Sequence, residues 1–156
     1  MRKYCLSLLL LLLTLVSNAV EPPKREIRGV WLTTVYGLDW PRKPATTETG
    51  RKAQQRDVCD ILDRLQDANF NTVFLQVRMR GDVIWRSAIE PASKTFSGKY
   101  GMMPGYDPLA FVVDECHKRG MECHAWFVTF PLGTDKSVIE QGKLSVVRRQ
   151  PKLCKR

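Results

Sequence analysis

The chain has 156 residues, 44% hydrophobic and 26% charged, with a formal net charge of +9. That composition excludes a chain too polar to fold and fits one small globular domain. The basic balance admits an anionic partner, so the placement of the charges matters.

Taken in order, the chain opens with Arg2 and Lys3, a mostly apolar run from Leu6 to Val16, and the small residues of Ser17-Asn18-Ala19. This is the pattern of a secretory signal peptide (1–19) cut after Ala19, followed by a short linker (20–26). A span across ~30 Å of hydrocarbon at ~1.5 Å per residue needs a longer run, which argues against a retained anchor. Cys5 precedes the run, which argues against a lipoprotein cysteine. The expectation is an exported protein, periplasmic, envelope-bound or extracellular, with no stable membrane span after processing.

Beyond the linker, Glu26 to Thr34 (EIRGVWLTT) reads as a short strand, because Ile27, Val30, Trp31 and Leu32 favour extended backbone. A polar, Pro-rich loop follows. Arg51 to Ala68 reads as a helix, with Val58, Ile61, Leu62 and Leu65 on one stripe and Asn69 as its stop. Asn71 to Arg78 is a second strand. The segment from Met79 to Tyr106 is punctuated by Gly81, Pro91, Gly98, Gly101, Pro104 and Gly105 and reads as irregular. Asp107-Pro108 then announces a helix, Asp as cap and Pro in the first turn. Leu109, Val112, Val113 and Cys116 make its buried stripe, and Gly120 ends it. Met121 to Phe127 is the third strand. The tail carries Lys143, Arg148, Arg149, Lys152, Lys155 and Arg156 without interleaved aromatics. It suits a solvated surface better than a nucleic-acid groove.

The order β-α-β-α-β predicts a parallel sheet with helical crossovers. Helix-to-strand turns are short and strand-to-helix loops are long. In (β/α) barrels the long loops build the active site, and loops of that length are usually functional.

Side chains alternate along a strand. Val73, Leu75 and Val77 share one face of the second strand, and Phe74, Gln76 and Arg78 share the other. On the third, Met121, Cys123, Ala125 and Phe127 oppose Glu122, His124 and Trp126. The mixed faces would then bring Gln76, Arg78, His124 and Trp126 around one rim. There an amide and a guanidinium hold hydroxyls or a carboxylate, and an indole lies against a sugar ring. The competing reading pairs Arg78 with a core carboxylate such as Asp82 and makes His124 a satisfied interior histidine. Parity also separates Cys123 from His124, and Cys116 diverges from His117, so no metal site is expected. Cys116 and Cys123 both face the helix–sheet seam. A disulfide between them stays open, with two free thiols favoured.

Three stretches, RGVWLTTVYGLDWP (28–41), NTVFLQVRMRGDVIWRSAIEPAS (71–93) and GYDPLAFVVDECHKRGMECHAWF (105–127), resemble the glycosyl hydrolase-like 10 family, exported bacterial (β/α)8-barrel proteins. The resemblance implies an α/β fold of the TIM-barrel type, with only about the first three βα units present over 27–156. It implies hydrolysis of O-glycosidic bonds in a polysaccharide or cell-wall glycan, peptidoglycan strands being one such class, without a cofactor. It carries Gln76, Arg78, Asp82, His124 and Trp126, with Asp39 and Trp40 in the first loop, as sugar contacts. Where many members continue with Asn-Pro-Tyr-Arg, this chain has Val128-Thr129-Phe130-Pro131, so nothing is carried onto those positions. A full barrel takes about 250 residues, so the chain reads as a truncated, inactive portion. Among its acids, Asp107 reads as a cap, Glu122 lies low on its strand, and Asp114 and Glu115 belong to a helix. Asp39, Asp82 and Glu90 lie toward the loop end, and Asp82 is the best catalytic candidate. A non-catalytic carbohydrate- or envelope-binding protein on the same fold is the alternative.

Overall fold

The computed structural model describes residues 26–154. The expected signal peptide and its cut after Ala19 lie outside the described residues.

Three strands form one parallel sheet in chain order: β1 (Gly29–Leu32), β2 (Thr72–Arg78) and β3 (Glu122–Phe127). α1 (Glu48–Asp67) crosses from β1 to β2, and α3 (Pro108–Lys118) crosses from β2 to β3. Between them, α2 (Lys94–Ser97) is a single turn inside the long second loop, and α4 (Asp135–Gln141) and α5 (Val146–Arg149) follow β3. No helix among the described residues is long and apolar enough to cross a membrane.

Local chemistry sets the boundaries. β1 is shorter than its β-prone run, because Thr33 and Thr34 leave the ladder. Their N–H groups donate to Asp39 Oδ2 at 2.8 Å and to Gln76 Oε1 at 3.0 Å. α1 begins upstream of Arg51, where the Thr47 hydroxyl accepts from Gly50 N–H at 3.1 Å and satisfies an orphan donor. Asn69, at φ +61°, ends that stretch in the left-handed region that Asn tolerates. α3 starts where the sequence announces it: Asp107 accepts from Ala110 N–H at 3.1 Å, with Pro108 in the first turn.

The two long helices cover one face of the sheet. Val58 and Leu62 of α1, Val112 and Cys116 of α3, and Val73, Leu75 and Val77 of β2 are wholly buried in one cluster. The alternation expected for β2 is therefore the one found. The other face carries Trp31, Phe74, His124 and Trp126. Trp31 stacks on Phe74 at 4.8 Å and meets Trp126 edge-on at 4.9 Å. Gly29 belongs beneath this layer, since a Cβ there would come within 2.7 Å of the Phe74 ring. Toward its C-terminal end β3 loses cover: Ala125 is exposed and Phe127 is 49% exposed.

A charge network joins α1 to α3. Arg119 pairs with Asp63 and with Glu115, each at 2.6 Å, and Lys118 reaches the other Glu115 oxygen at 2.6 Å. Hydrogen bonds from Lys118 and then Arg119 hold the Glu115 carboxyl down at about 2, against an ordinary 4.5. A carboxylate lowered on folding contributes stability above its unfolded value and loses it as pH falls through the folded one. Unfolding free energy should therefore fall between pH 4.5 and about 2, and Glu115→Gln should flatten that limb in urea titrations. Equal acid slopes in the two proteins would remove Glu115 from this role.

Candidate functional site

The strands leave the sheet at one end, and there the loops are tied to strand side chains. Gln76 is buried on the mixed face of β2. Its Oε1 accepts from Thr34 N–H at 3.0 Å, Val35 N–H at 2.8 Å and the Thr33 hydroxyl at 3.2 Å. Its backbone carbonyl accepts from the Thr34 hydroxyl at 2.8 Å. Two main-chain donors on one atom identify that atom as the amide oxygen. The amide NH2 makes no hydrogen bond among the described residues.

Arg78, at the end of β2, is a half-buried ion-pair partner. Its Nε and Nη2 donate to the two Glu90 oxygens at 2.7 and 2.6 Å, a bidentate fork. Its Nη1 donates to the carbonyls of Val128 and Thr129. The side chains of Arg78 and Glu90 are 13% and 11% exposed. A core carboxylate does take the guanidinium, but it is Glu90 rather than Asp82.

Asp82 lies just beyond. Gly81, at φ +76°, lets the chain turn so that Met79 N–H reaches the Asp82 carbonyl at 3.1 Å. One Asp82 carboxylate oxygen accepts from Arg80 N–H at 3.1 Å. The other has no hydrogen-bond partner among the described residues, although Asp82 is only 5% exposed.

Asp82 lines a cavity of about 280 Å³ built from the segments that follow all three strands. Tyr36 comes from the loop after β1. Arg80, Lys94 and Tyr100 come from the loop after β2, and Glu140 comes from α4. Tyr36 has φ +56°, a strained conformation for a non-glycine residue. The Arg80 guanidinium lies 4.3 Å above its ring and donates to its hydroxyl, so the pair forms one flat rim. Lys94 pairs with Glu140 and lies 5.0 Å over Tyr100. The Glu140 hydrogen bond raises the Lys94 pKa, and the same contact lowers that of Glu140. Burial, then the charge of Asp82, pushes the Tyr100 phenol up. The cavity thus offers a carboxylate oxygen with no partner among the described residues, a phenol and three cations, Arg80, Lys94 and Lys136.

The other expected contacts lie elsewhere. Asp39 closes the first loop by accepting from Thr33 N–H. Trp40 is fully buried, its indole N–H on the Gln54 carbonyl at 2.7 Å and its ring edge-on to Phe96 at 4.9 Å. Trp126 stands level with Gln76 in the register and remains partly open on the mixed face. His124 shares that face but is level with Phe74, about 13 Å before Arg78 along the strand. It pairs with Glu122 at 2.8 Å. Gln76 and Trp126 are therefore together, whereas His124 sits deeper and Trp40 lies under the loop. Tyr36, Arg80, Lys94, Tyr100 and Glu140 were not expected. Gly37 and Gly81, at φ +68° and +76°, mark the turns beside Tyr36 and Arg80, and no local signal points to the other three.

A parallel α/β scaffold with a polar cavity at the C-terminal ends of its strands is of the class that places binding and chemistry at that end. The chain belongs to the glycosyl hydrolase-like 10 family, whose profile matches residues 26–155. It is 50% identical over 111 residues to the glycosyl hydrolase DigH of Escherichia coli (strain K12), covering 69% of this chain and 25% of that protein. It is 41% identical over 103 residues to the glycosyl hydrolase YngK of Bacillus subtilis (strain 168), covering 66% of this chain and 20% of that protein. The chain thus spans about a quarter and a fifth of the length of these curated relatives.

Replacing Gln76 with Leu should orphan the Thr34 and Val35 N–H groups, each at about 1–3 kcal/mol. Urea denaturation checks this, and a loss below the lower figure would show that the clamp holds nothing.

Proposed function

We propose that the chain is the N-terminal part of an exported (β/α)8-barrel glycoside hydrolase, which at full length cleaves O-glycosidic bonds in a polysaccharide or cell-wall glycan. Family membership supports the chemistry. Three parallel strands with helical crossovers on one face support the barrel. The leader pattern ending at Ala19 supports export.

The observation that carries the site is the free oxygen of Asp82. Asp82 is largely buried yet lines the cavity, so a ligand's donor can reach the oxygen that no protein group occupies. Sugar hydroxyls are such donors. Tyr36 and Arg80 provide a flat rim for a ring, and the Gln76 NH2 and Trp126 add a second set of contacts on the mixed face.

Glycosidases use two carboxyl groups, about 5–5.5 Å apart for retention or 6.5–9.5 Å for inversion. In this chain Glu140 is tied to Lys94 and Glu90 to Arg78. Asp82 is the acid left without a cation in the cavity, and its partner comes from the remainder of the full-length protein. That single free acid also favours the second reading, a carbohydrate-binding protein without turnover.

In the full-length protein, Asp82→Asn should keep the melting temperature while cutting glycan-strand hydrolysis at least tenfold, read as released reducing ends. Unchanged hydrolysis would remove Asp82 from the site. Binding to glycan strands without reducing ends from the unsubstituted full-length protein would establish the second reading. The 156-residue chain alone should release none.

A further inference from the structure

The charges of the cavity do not balance within the chain. Arg80, Lys94 and Lys136 line it against Asp82 and Glu140. Lys94 is taken up by Glu140. Arg80 and Lys136 form no ion pair among the described residues, and Asp82 alone opposes them.

Arg80 is held in place at every point but one. Its backbone N–H donates to an Asp82 carboxylate oxygen at 3.1 Å, and its carbonyl accepts from Gln141 Nε2 at 3.2 Å. Its guanidinium lies 4.3 Å over the Tyr36 ring, and Nη1 donates to the Tyr36 hydroxyl. Nε and Nη2 make no hydrogen bond among the described residues. These two nitrogens share the edge that forks onto a carboxylate. Arg78 shows the same edge in use, with Nε and Nη2 on the Glu90 oxygens at 2.7 and 2.6 Å.

We propose that the open edge of Arg80 is an anion subsite for a carboxylate carried by the glycan, with Lys136 as the second cation, and that it makes the site prefer acidic strands to neutral ones. The subsite rests on the carbohydrate reading of the cavity and adds the class of sugar. A guanidinium already stacked and tethered loses little freedom when a ligand arrives. Once Lys94 and Glu140 cancel, Arg80 and Lys136 outweigh Asp82 by a single charge, which one carboxylate neutralises. The free Asp82 oxygen then accepts from a hydroxyl while Arg80 donates to the carboxylate, so the two residues read opposite chemistry on one ligand.

The test is equilibrium binding of the full-length protein to two pairs of polymers. The first pair is peptidoglycan glycan strands with free carboxyl groups and the same strands with those groups converted to methylamides. The second is polygalacturonate and its methyl ester. Within at least one pair the acidic form should bind about tenfold more tightly, as expected for charged hydrogen bonds, and added salt should shrink the difference. The pair that shows it tells whether the carboxylate sits on a side arm or on the sugar ring. Arg80→Met should bring the two forms level, and Lys136→Met should narrow the gap. A merely structural role for Arg80 would weaken binding of both forms alike and leave their ratio unchanged. If Arg80→Met fails to fold, Arg80→Lys keeps the charge, removes the fork and should still lower the ratio. Equal binding within both pairs, or a ratio unmoved in a folded Arg80 variant, would overturn the subsite and leave the carbohydrate reading standing. Binding to none of the four polymers would remove both.

Discussion

The loop end of the molecule depends on one largely buried ion pair. Arg78 ends β2 with its guanidinium inside the protein, and Glu90 takes two of its donors. A third nitrogen reaches the carbonyls just past β3. One side chain thus joins the end of a strand, a long loop and the exit of the next strand. Such a pair need not make the fold more stable than an apolar replacement would. Removing one partner, however, leaves an uncompensated buried charge, at about 3–5 kcal/mol. The value of the arrangement lies in geometry, because a planar fork fixes where Glu90 and the loop around it sit.

Gln76 does for β1 what Arg78 does for β3. Its amide oxygen collects the N–H groups of Thr34 and Val35 and so places the turn that carries Tyr36. With both exits fixed, the reversal at Gly81 holds Asp82 against α2 and α4. The cavity follows from these ties: its lining comes from three loops that would otherwise be independent. Side chains that might have been ligands became the frame, and Asp82, one turn further out, kept a free oxygen. This is the usual division in sites that need a rigid support behind their contacts.

Much of the architecture was legible in the sequence because it rests on local periodicity. Val73, Leu75 and Val77 alternate with Phe74, Gln76 and Arg78, and no distant residue is needed to see it. Asp107-Pro108 likewise names a helix start by its own chemistry. The start of α1 was harder, since Thr46 and Thr47 look alike and only hydrogen bonding shows which one caps. Trp40 shows where local reading stops. In a loop beside Asp39 it resembles a sugar platform, yet Gln54 and Phe96 bury it, and neither is near it in the chain. The partner of Arg78 had the same difficulty: Asp82 is nearer in sequence, but the turn at Gly81 directs it to the cavity and leaves Glu90 for the guanidinium. His124 was placed on the correct face but at the wrong depth, because alternation fixes faces while register comes from pairing. Glu140 gave no signal, since it comes from a helix beyond β3 whose docking no local pattern encodes.

A double-mutant cycle on Arg78 and Glu90, with Met at either or both positions and unfolding followed by urea in the full-length protein, tests the central claim most directly. Each single replacement should cost about 3–5 kcal/mol. The double should cost less than the sum by roughly 2 kcal/mol or more, as expected for groups that act as one unit. Additive losses, or single replacements within about 0.5 kcal/mol of the unsubstituted protein, would contradict the account.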